Sequence, residues 1–474
     1  MLAAVIGFVA AAQPAAAQPG GLIWRPCPQD TTASCTTLEL PIDRAAPGLG
    51  SFSLAIARRK ATDPAQRIGV LMLNPGGPGA SGVSMALGAD KLLSPEVRAR
   101  FDVIGFDPRG VGASSPIRCS SALLGNRPDE PQNQTEFEAL RSRNQDLNAD
   151  CRRHSGPIFD HADTLSVAQD MDALRAALGE EKVNFLGFSY GTQIGQQYTQ
   201  LFGDRIRTMV LDGNMDHSLP LERFLSTAAA AGDDTLAAFA RWCERTTTCA
   251  LHGKNVLTHF DGLLNAADHH RLVEGAEGNA VSSWYLIQRV YGDLIRSQLP
   301  ELAQWLSTLH PGPATPPTPA TSHRATDDAT TSANPRAAVF CQDWTPRVSS
   351  YAEWQRITRD DRAAAPHLRY SPEAREAALS CIGWPDKANN PPAPVKFPPG
   401  PAILLVNPRH DPATGYAWAR SLHQQTADRT VLLRSNAIGH TAYPQSPCIR
   451  TAVTNYLLHQ TVPGDLTCPT STAR

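Results

Sequence analysis

The chain has 474 residues, of which 42% are hydrophobic and 19% are charged, so it is long enough to bury a full core. Its 43 Lys and Arg residues and 45 Asp and Glu residues give a formal net charge of −2. This balance offers no basic excess to neutralise phosphates, which argues against nucleic acid as a partner. We expect one large domain that carries an insertion.

Residues 1–17 have the pattern of a secretory signal peptide. The apolar run Leu2–Ala12 is followed by small residues up to Ala17, where we expect cleavage. The alternative is a buried N-terminal helix. No other segment approaches the roughly 20 apolar residues that a membrane-spanning helix needs, so we expect no stable membrane association. The sequence thus predicts a secreted or periplasmic protein, which we expect to be a monomer.

Ten cysteines favour the same oxidising compartment, because their number is even and they show no repeated C-x-x-C metal pattern. The alternative is a cytosolic enzyme with reduced, buried cysteines. Connectivity cannot be deduced from sequence, so any pairing is a hypothesis. The simplest pairing by spacing is Cys27–Cys35, Cys119–Cys151, Cys243–Cys249, Cys341–Cys381 and Cys448–Cys468.

Residues 18–213 have the pattern of the first part of an α/β core. Thr37–Asp43 and Gly50–Arg58 alternate apolar with polar residues, which predicts an antiparallel strand pair. Later strands are nearly continuous apolar runs separated by helical segments, as in a parallel sheet with helices on both faces. These later strands are predicted at Gly69–Asn74, Phe101–Asp107, Val183–Gly187 and Arg207–Asp212.

The strand and helix alternation stops over residues 214–395, where amphipathic stretches predict a helical cap. Within it, residues 311–336 are mostly Pro, Thr, Ala, Ser and Asp, a composition that predicts a disordered segment. The alternation returns in residues 396–474 with strands at Pro401–Val406 and Thr430–Arg434. A core interrupted in this way would place the cap over the carboxyl ends of the strands, where open α/β sheets bind ligands.

The segment from Gly187 to Gly191 fits the G-x-S-x-G pattern, with Ser189 at its centre. It follows a predicted strand and precedes a predicted helix, which is the setting of a nucleophile elbow. In such an elbow the flanking glycines remove Cβ clashes, so that the serine hydroxyl projects from the sheet. The alternative is a simple glycine-rich turn.

A serine nucleophile needs a base and an acid, which in this arrangement follow it along the chain in the order acid, then His. Asp411 and His440 lie in the loops after the two C-terminal strands. His440 is preferred to His410 as the base because its loop leads directly into the last helix. Asp212 also follows a strand and competes with Asp411 as the acid, but we expect it to have a structural role where the core meets the cap.

The oxyanion of the reaction needs two backbone N–H donors. One is expected from Tyr190, the residue after the nucleophile. The loop Asn74–Gly79 follows an earlier strand and supplies the second. Pro75 and Pro78 have no N–H, so Gly77 is the expected donor.

Two further charged patterns have weaker claims to a chemical role. Asp107 and Arg109 also follow a core strand, and we expect them to fix loops rather than act on a substrate. His270 and Glu274 stand four residues apart on a predicted cap helix, a spacing that can bind zinc, but no third ligand is apparent. We therefore expect neither a metal nor a cofactor.

Taken together, these motifs resemble the tripeptidyl aminopeptidase branch of the α/β-hydrolases, which is related to the prolyl iminopeptidases and typified by secreted bacterial enzymes. The resemblance rests on Asn74–Gly79, Gly187–Thr192, Val210–Gly213, Asp411–Thr414 and Gly439–Thr441. It implies the α/β-hydrolase fold with a catalytic triad of Ser189, Asp411 and His440. It also implies a metal-independent peptidase that acts through an acyl-enzyme on peptide substrates with free N-termini.

In such an enzyme the cap can present an acidic group to the ammonium of the substrate, and Asp216 and Glu222 are candidates early in the cap. A carboxylesterase or lipase with the same triad is the nearest alternative, because the triad does not distinguish peptide from ester substrates. A non-catalytic binding protein on the same scaffold is a second alternative. Such proteins usually lack a triad member, and none is missing here.

Overall fold

The structure is a computed structural model that describes residues 22–125, 130–275, 278–313, 330–344, 347–385 and 387–469. The predicted signal peptide, residues 1–17, lies outside the described residues. So do residues 314–329 of the predicted disordered segment.

A central sheet of ten strands, numbered here in chain order, dominates the described residues. The strands are β1 (Arg25–Pro26), β2 (Ser34–Pro41), β3 (Ser51–Arg59), β4 (Gly69–Asn74), β5 (Phe101–Phe106), β6 (Val183–Phe188), β7 (Ile206–Asp212), β8 (Ile403–His410), β9 (Thr430–Ile438) and β10 (Leu466–Cys468). Their order across the sheet is β1-β2-β3-β5-β4-β6-β7-β8-β9-β10. Pairing is antiparallel from β1 to the β3–β5 junction and parallel from there to β10.

The parallel strands are apolar along their length because helices cover both faces of the sheet. Met72 packs on one face in a cluster that includes Met171, while its neighbour Leu71 packs on the other face in a cluster that includes Val453. The helices of the core are Gly82–Leu87, Ala89–Leu92, Pro95–Arg100, Ser121–Gly125, Gln134–Ser155, Thr164–Ala177, Gly191–Phe202, Tyr416–Gln425 and Pro447–His459. This is the α/β-hydrolase fold that the sequence predicts.

Between β7 and β8 the described residues form a mostly helical cap. Its helices are Leu221–Arg245, Val256–Asp268, Ser283–Ile295, Leu299–Thr308, Pro335–Asp343, Tyr351–Ala364 and Pro372–Cys381. A small antiparallel sheet, absent from the sequence-based prediction, is built from Leu272–Glu274, Asn279–Ala280 and Leu309–Pro311. The boundaries of the cap at residues 214 and 395 stay a prediction.

The described ends of the predicted disordered segment are ordered. Thr331–Ala333 forms a strand that pairs with Arg118–Ser120 of the core, and a helix begins at Pro335. The helix predicted to carry both His270 and Glu274 is wrong, because the helix before them ends at Asp268 and Glu274 lies in a strand. The i, i+4 spacing places two side chains together to bind zinc only when both residues lie on one helix, which is not the case here.

All five predicted disulfides are present, and none of the ten cysteines is free. Five disulfides are typical of proteins from an oxidising compartment. None of the helices in the described ranges is long and apolar enough to cross a membrane.

The structural roles predicted for Asp107 and Arg109 are confirmed. Arg109 is fully buried and forms an ion pair with Asp170, with its Nε 2.7 Å from the carboxylate. Asp107 accepts hydrogen bonds from the Ser81 hydroxyl at 2.5 Å and from the Ala113 amide at 2.9 Å. These contacts fix the loop after β5.

Candidate active site

Ser189 lies in the tight turn between β6 and the helix that begins at Gly191. Its φ of 55° is in the left-handed region, which non-glycine residues seldom adopt. The Ser189 amide donates a hydrogen bond to the Asp212 carbonyl at 2.9 Å, which joins the turn to the end of β7. A Cβ at Gly191 would lie 2.6 Å from Asn74 Oδ1, so the turn needs glycine there. The local geometry is that of a nucleophile elbow.

Asp411 lies in the loop after β8, and His440 lies in the loop after the neighbouring strand β9. His440 Nδ1 is 2.9 and 3.0 Å from the two carboxylate oxygens of Asp411. Asp411 is buried and also accepts hydrogen bonds from the Thr414 amide and hydroxyl, each at 2.9 Å. The carboxylate is therefore held in one orientation while it faces the imidazole.

Asp212, the alternative acid, faces the backbone rather than the imidazole. Its carboxylate accepts the amide hydrogens of Ala442 at 2.9 Å and of Tyr443 at 2.7 Å. Burial raises the pKa of Asp212 to about 7, against the lowering effect of these hydrogen bonds. Asp212 thus fastens the segment that follows His440, which is a structural role within the same site.

Opposing influences act on the imidazole of His440. Burial lowers its pKa, but the charge and hydrogen bond of Asp411 outweigh this, with further support from the charges of Glu373 and Asp212. The net result raises the pKa of His440 to about 8. Its side chain is 17% exposed, so the ring is mostly buried but still in contact with solvent.

The raised pKa of His440 predicts the pH profile of any reaction in which it accepts a proton. Only the neutral imidazole accepts a proton, so kcat/KM should be reduced below pH 8 and fall about tenfold for each further unit of acidification. Measured profiles of kcat/KM for the wild type and Glu373→Gln check this. The substitution removes a negative charge that favours the imidazolium, so its acidic limb should move to lower pH. An unchanged limb would contradict the influence of Glu373 on His440.

The loop Asn74–Gly79 packs directly against the elbow. A Cβ at Gly76 would lie 2.4 Å from the Phe188 carbonyl oxygen and 2.6 Å from the Tyr190 nitrogen, so the two backbones touch. Within the described part of the chain, no protein acceptor takes the amide hydrogens of Gly77 and Tyr190. Both residues line the same cavity as Ser189, where such amides can serve an oxyanion.

That cavity, here called the Ser189 cavity, has a volume of about 40 Å³. Thr414 connects the cavity to Asp411 and His440, because this residue lines the cavity while its hydroxyl lies 2.9 Å from Asp411 Oδ2 and 3.4 Å from His440 Nδ1. Apolar walls come from core and cap residues, and two charged side chains also line it. The lining residues are Gly77, Pro78, Ser189, Tyr190, Met215, Phe224, Arg336, Phe340, Ser371, Glu373, Ala374, Ala377, Ala413, Thr414 and Trp418.

The two acidic residues suggested by sequence as ligands for a substrate ammonium lie elsewhere. Asp216 is buried and accepts hydrogen bonds from the Ser218 amide at 3.0 Å and its hydroxyl at 2.5 Å. Glu222 is 3.7 Å from Arg356 on a partly exposed surface of the cap. Neither residue lines the Ser189 cavity, whereas Glu373 does.

Sequence reasoning missed Glu373. It lies in the first turn of helix Pro372–Cys381, after a serine N-cap and a proline, where acidic residues are common for reasons of helix stability. A Ser-Pro-Glu start therefore indicates a helix but not a site. Only the packing of this cap helix over the core brings Glu373 into the same cavity as Ser189.

Residues 69–305 match the sequence profile of a family described as alpha/beta hydrolase fold, and residues 365–468 match one described as TAP-like protein. The chain belongs to the α/β-hydrolase family. Within this family it is similar to serine protease Hip1 of Mycobacterium tuberculosis, with 31% identity over 95% of this chain and 91% of the relative. The tripeptidyl aminopeptidase of Streptomyces lividans is 30% identical over 98% of this chain and 89% of its own length.

Another α/β-hydrolase, carboxylesterase B of Mycobacterium tuberculosis, is 31% identical over 91% of this chain and 85% of its own length. The predicted resemblance to the tripeptidyl aminopeptidase branch is confirmed. Because the relatives bear both peptidase and esterase names at similar identity, the identities alone do not choose the substrate.

Proposed function

We propose that this α/β-hydrolase is a serine peptidase that cleaves peptide bonds near free N-termini, with Ser189, His440 and Asp411 as its catalytic triad. The observation that carries the choice of substrate is the carboxylate of Glu373 in the same cavity as Ser189. An ester of a fatty acid offers no cation to such a group, whereas every peptide with a free N-terminus offers an ammonium.

In the proposed reaction, Ser189 Oγ attacks the carbonyl carbon of the scissile bond while its proton passes to His440 Nε2. Asp411, which accepts from Nδ1, holds the required tautomer and stabilises the imidazolium. The tetrahedral oxyanion accepts hydrogen bonds from the amides of Gly77 and Tyr190. His440 then donates its proton to the leaving amine as the C–N bond breaks, and water releases the acyl group from Ser189 by the same steps.

Glu373 has the properties required of an anchor for the substrate ammonium. It is partly buried and its charge acts on His440, so it is close enough to the triad to influence its electrostatics. A carboxylate in a confined site binds an ammonium more strongly than it would in bulk water, because the local dielectric constant is lower. Such an anchor would set how far from the N-terminus cleavage occurs.

We also propose that the protein acts outside the cytoplasm, in a secreted or periplasmic location, as a monomer. The five disulfides support an oxidising compartment. The pattern of residues 1–17 supports export by a signal peptide.

A carboxylesterase is the second candidate function. The Ser189 cavity has apolar walls that include Met215, Phe224 and Trp418, which suit the acyl chain of an ester. One similar relative is named carboxylesterase B. This candidate gives Glu373 no partner in the substrate.

The test compares fluorogenic tripeptide amides with a free or an acetylated N-terminus, together with a short-chain ester. We expect the free-amine substrate to have the higher kcat/KM by about 10²-fold, because the acetylated one leaves Glu373 without its ionic partner. Glu373→Gln should remove most of this difference while retaining activity on the ester.

Glu222→Gln is the matched control, since it removes an acidic side chain of the cap that does not line the Ser189 cavity. Its selectivity should equal that of the wild type. Hydrolysis of esters alone would reject the peptidase proposal in favour of the esterase. Loss of amine selectivity in Glu222→Gln, with none in Glu373→Gln, would reject Glu373 as the anchor.

A further inference from the structure

A second cavity lies next to the Ser189 cavity, and the two share a wall. The second cavity has a volume of about 240 Å³ and is lined in part by helices Gln134–Ser155 and Pro372–Cys381. Arg336, Phe340 and Ala377 line both cavities. The Ser189 cavity alone is small beside typical ligand pockets of about 300–1,000 Å³, and the second cavity extends it towards that range.

Arg336 is the charged residue on the shared wall, and its charge is unpaired. Its Nε is buried without a hydrogen-bond partner. Across the parts of the chain that the structure describes, its guanidinium forms no ion pair. Arg336 as a residue is half-buried, but a buried N–H donor without an acceptor is costly, so its Nε is suited to an acceptor on a ligand.

The position of Arg336 is fixed relative to the oxyanion loop. It is the second residue of helix Pro335–Asp343, and a Cβ at Gly79 would lie 2.9 Å from Pro335 Cγ. The start of this helix therefore packs on the loop that also carries Gly77. A group bound by Arg336 would consequently lie beside the reacting part of a substrate.

The Ser189 cavity thus contains one anion and one cation that do not pair with each other. Both charges act on the hydroxyl of Tyr291: burial chiefly raises its pKa, Glu373 raises it further, and Arg336 lowers it. Among the residues that the structure describes, Arg336 and Glu373 nevertheless form no ion pair with each other, because their charged atoms are more than 4.0 Å apart. Two separated charges of opposite sign suit a ligand that carries both an ammonium and a carboxylate.

We propose that Arg336 is a specificity residue that binds a carboxylate of the peptide substrate where the Ser189 cavity meets the second cavity. This inference rests on the proposed peptidase function and deepens it. A guanidinium presents a fork of N–H donors that matches a carboxylate, so it selects such a group by geometry as well as by charge. The carboxylate can belong to an Asp or Glu side chain or to the C-terminus of a short peptide.

The test uses pentapeptide amides that have a free N-terminus and uncharged side chains, here called neutral peptides. Each position is replaced in turn by Glu or by the isosteric Gln. The neutral parent peptide is compared as free acid and as amide, which separates a side-chain carboxylate from a terminal one. For one of these pairs, the wild type should cleave the carboxylate-bearing peptide with a kcat/KM about 10- to 100-fold higher than its uncharged counterpart, as expected for hydrogen bonds to a charged group.

Arg336→Met should abolish that preference, measured as the ratio of kcat/KM for the two members of the pair, and Arg336→Lys should keep part of it. Arg359→Met, which removes an exposed arginine of the cap, is the matched control and should keep all of it. A preference that persists in Arg336→Met overturns the proposal. If that variant does not fold, a wild type without preference for any carboxylate overturns it instead. Failure to cleave even the neutral peptides would reject the peptidase function.

Discussion

Ser189→Ala should lower kcat by on the order of 10⁶, as the loss of the nucleophile does in other serine hydrolases. The hydroxyl of Ser189 is the proposed atom that forms the acyl-enzyme, whereas the hydroxyls of Ser371 and Thr414 in the same cavity are bonded to Tyr291 and Asp411. The residual activity should come from the oxyanion amides and substrate binding alone. Single-turnover measurements on the free-amine tripeptide amide would quantify the loss.

The fold of this variant should be unaffected, which makes the result easy to interpret. Alanine meets the same strain as serine at a φ of 55°, and the Ser189 amide that binds the Asp212 carbonyl is retained. Ser84→Ala, a change of the same kind at an exposed helix position, is the control and should be fully active. Full activity of Ser189→Ala with an unchanged melting temperature would show that the nucleophile lies elsewhere.

The sheet and the candidate triad could be predicted because short segments of the sequence contain the patterns that identify them. Strands such as β4 and β6 are buried on both faces, so they appear in the sequence as continuous apolar runs. Ser189 and Asp411 directly follow β6 and β8, and His440 follows β9 after one intervening residue. Parallel strands end at one edge of a sheet, so their following loops meet without further information about the fold.

The cap could not be predicted at the same level because its positions depend on tertiary packing. Its helices are amphipathic, which indicates that one face of each helix is buried. The pattern does not indicate which element covers that face. Glu373 and Arg336 come from two different cap helices, 37 positions apart in sequence, and meet only in the Ser189 cavity. The small sheet that includes Leu272–Glu274 has strands of two or three residues, which are too short to show periodicity.

The loops that frame the site show how glycine makes the predicted geometry feasible. A Cβ at Gly213 would lie 3.1 Å from His440 Cε1, so the segment after β7 can approach His440 closely because it lacks a side chain there. Its φ of 74° also favours glycine. The close approach lets Asp212, the preceding residue, reach the amides that follow His440.

Asp411→Asn and Asp212→Asn should differ in kind, because the two carboxylates act on different groups. For Asp411→Asn we expect a loss of about 10⁴-fold in kcat, since an asparagine that donates to Nδ1 selects the tautomer in which Nε2 carries the proton and accepts none. Removal of the Asp411 charge should also lower the pKa of His440 from its raised value of about 8. The acidic limb of the pH profile should then move to lower pH.

Asp212→Asn replaces one of the oxygens that accept the amide hydrogens of Ala442 and Tyr443 with a donor. One buried amide then faces an NH₂ group, which should cost about 1–3 kcal/mol in the free energy of unfolding, measured by urea denaturation. Its kcat should fall much less than that of Asp411→Asn, and its acidic limb should move less. If Asp212→Asn instead lost more activity than Asp411→Asn at wild-type stability, Asp212 would be the catalytic acid, and the orientation of its carboxylate towards the backbone would have to change when substrate binds.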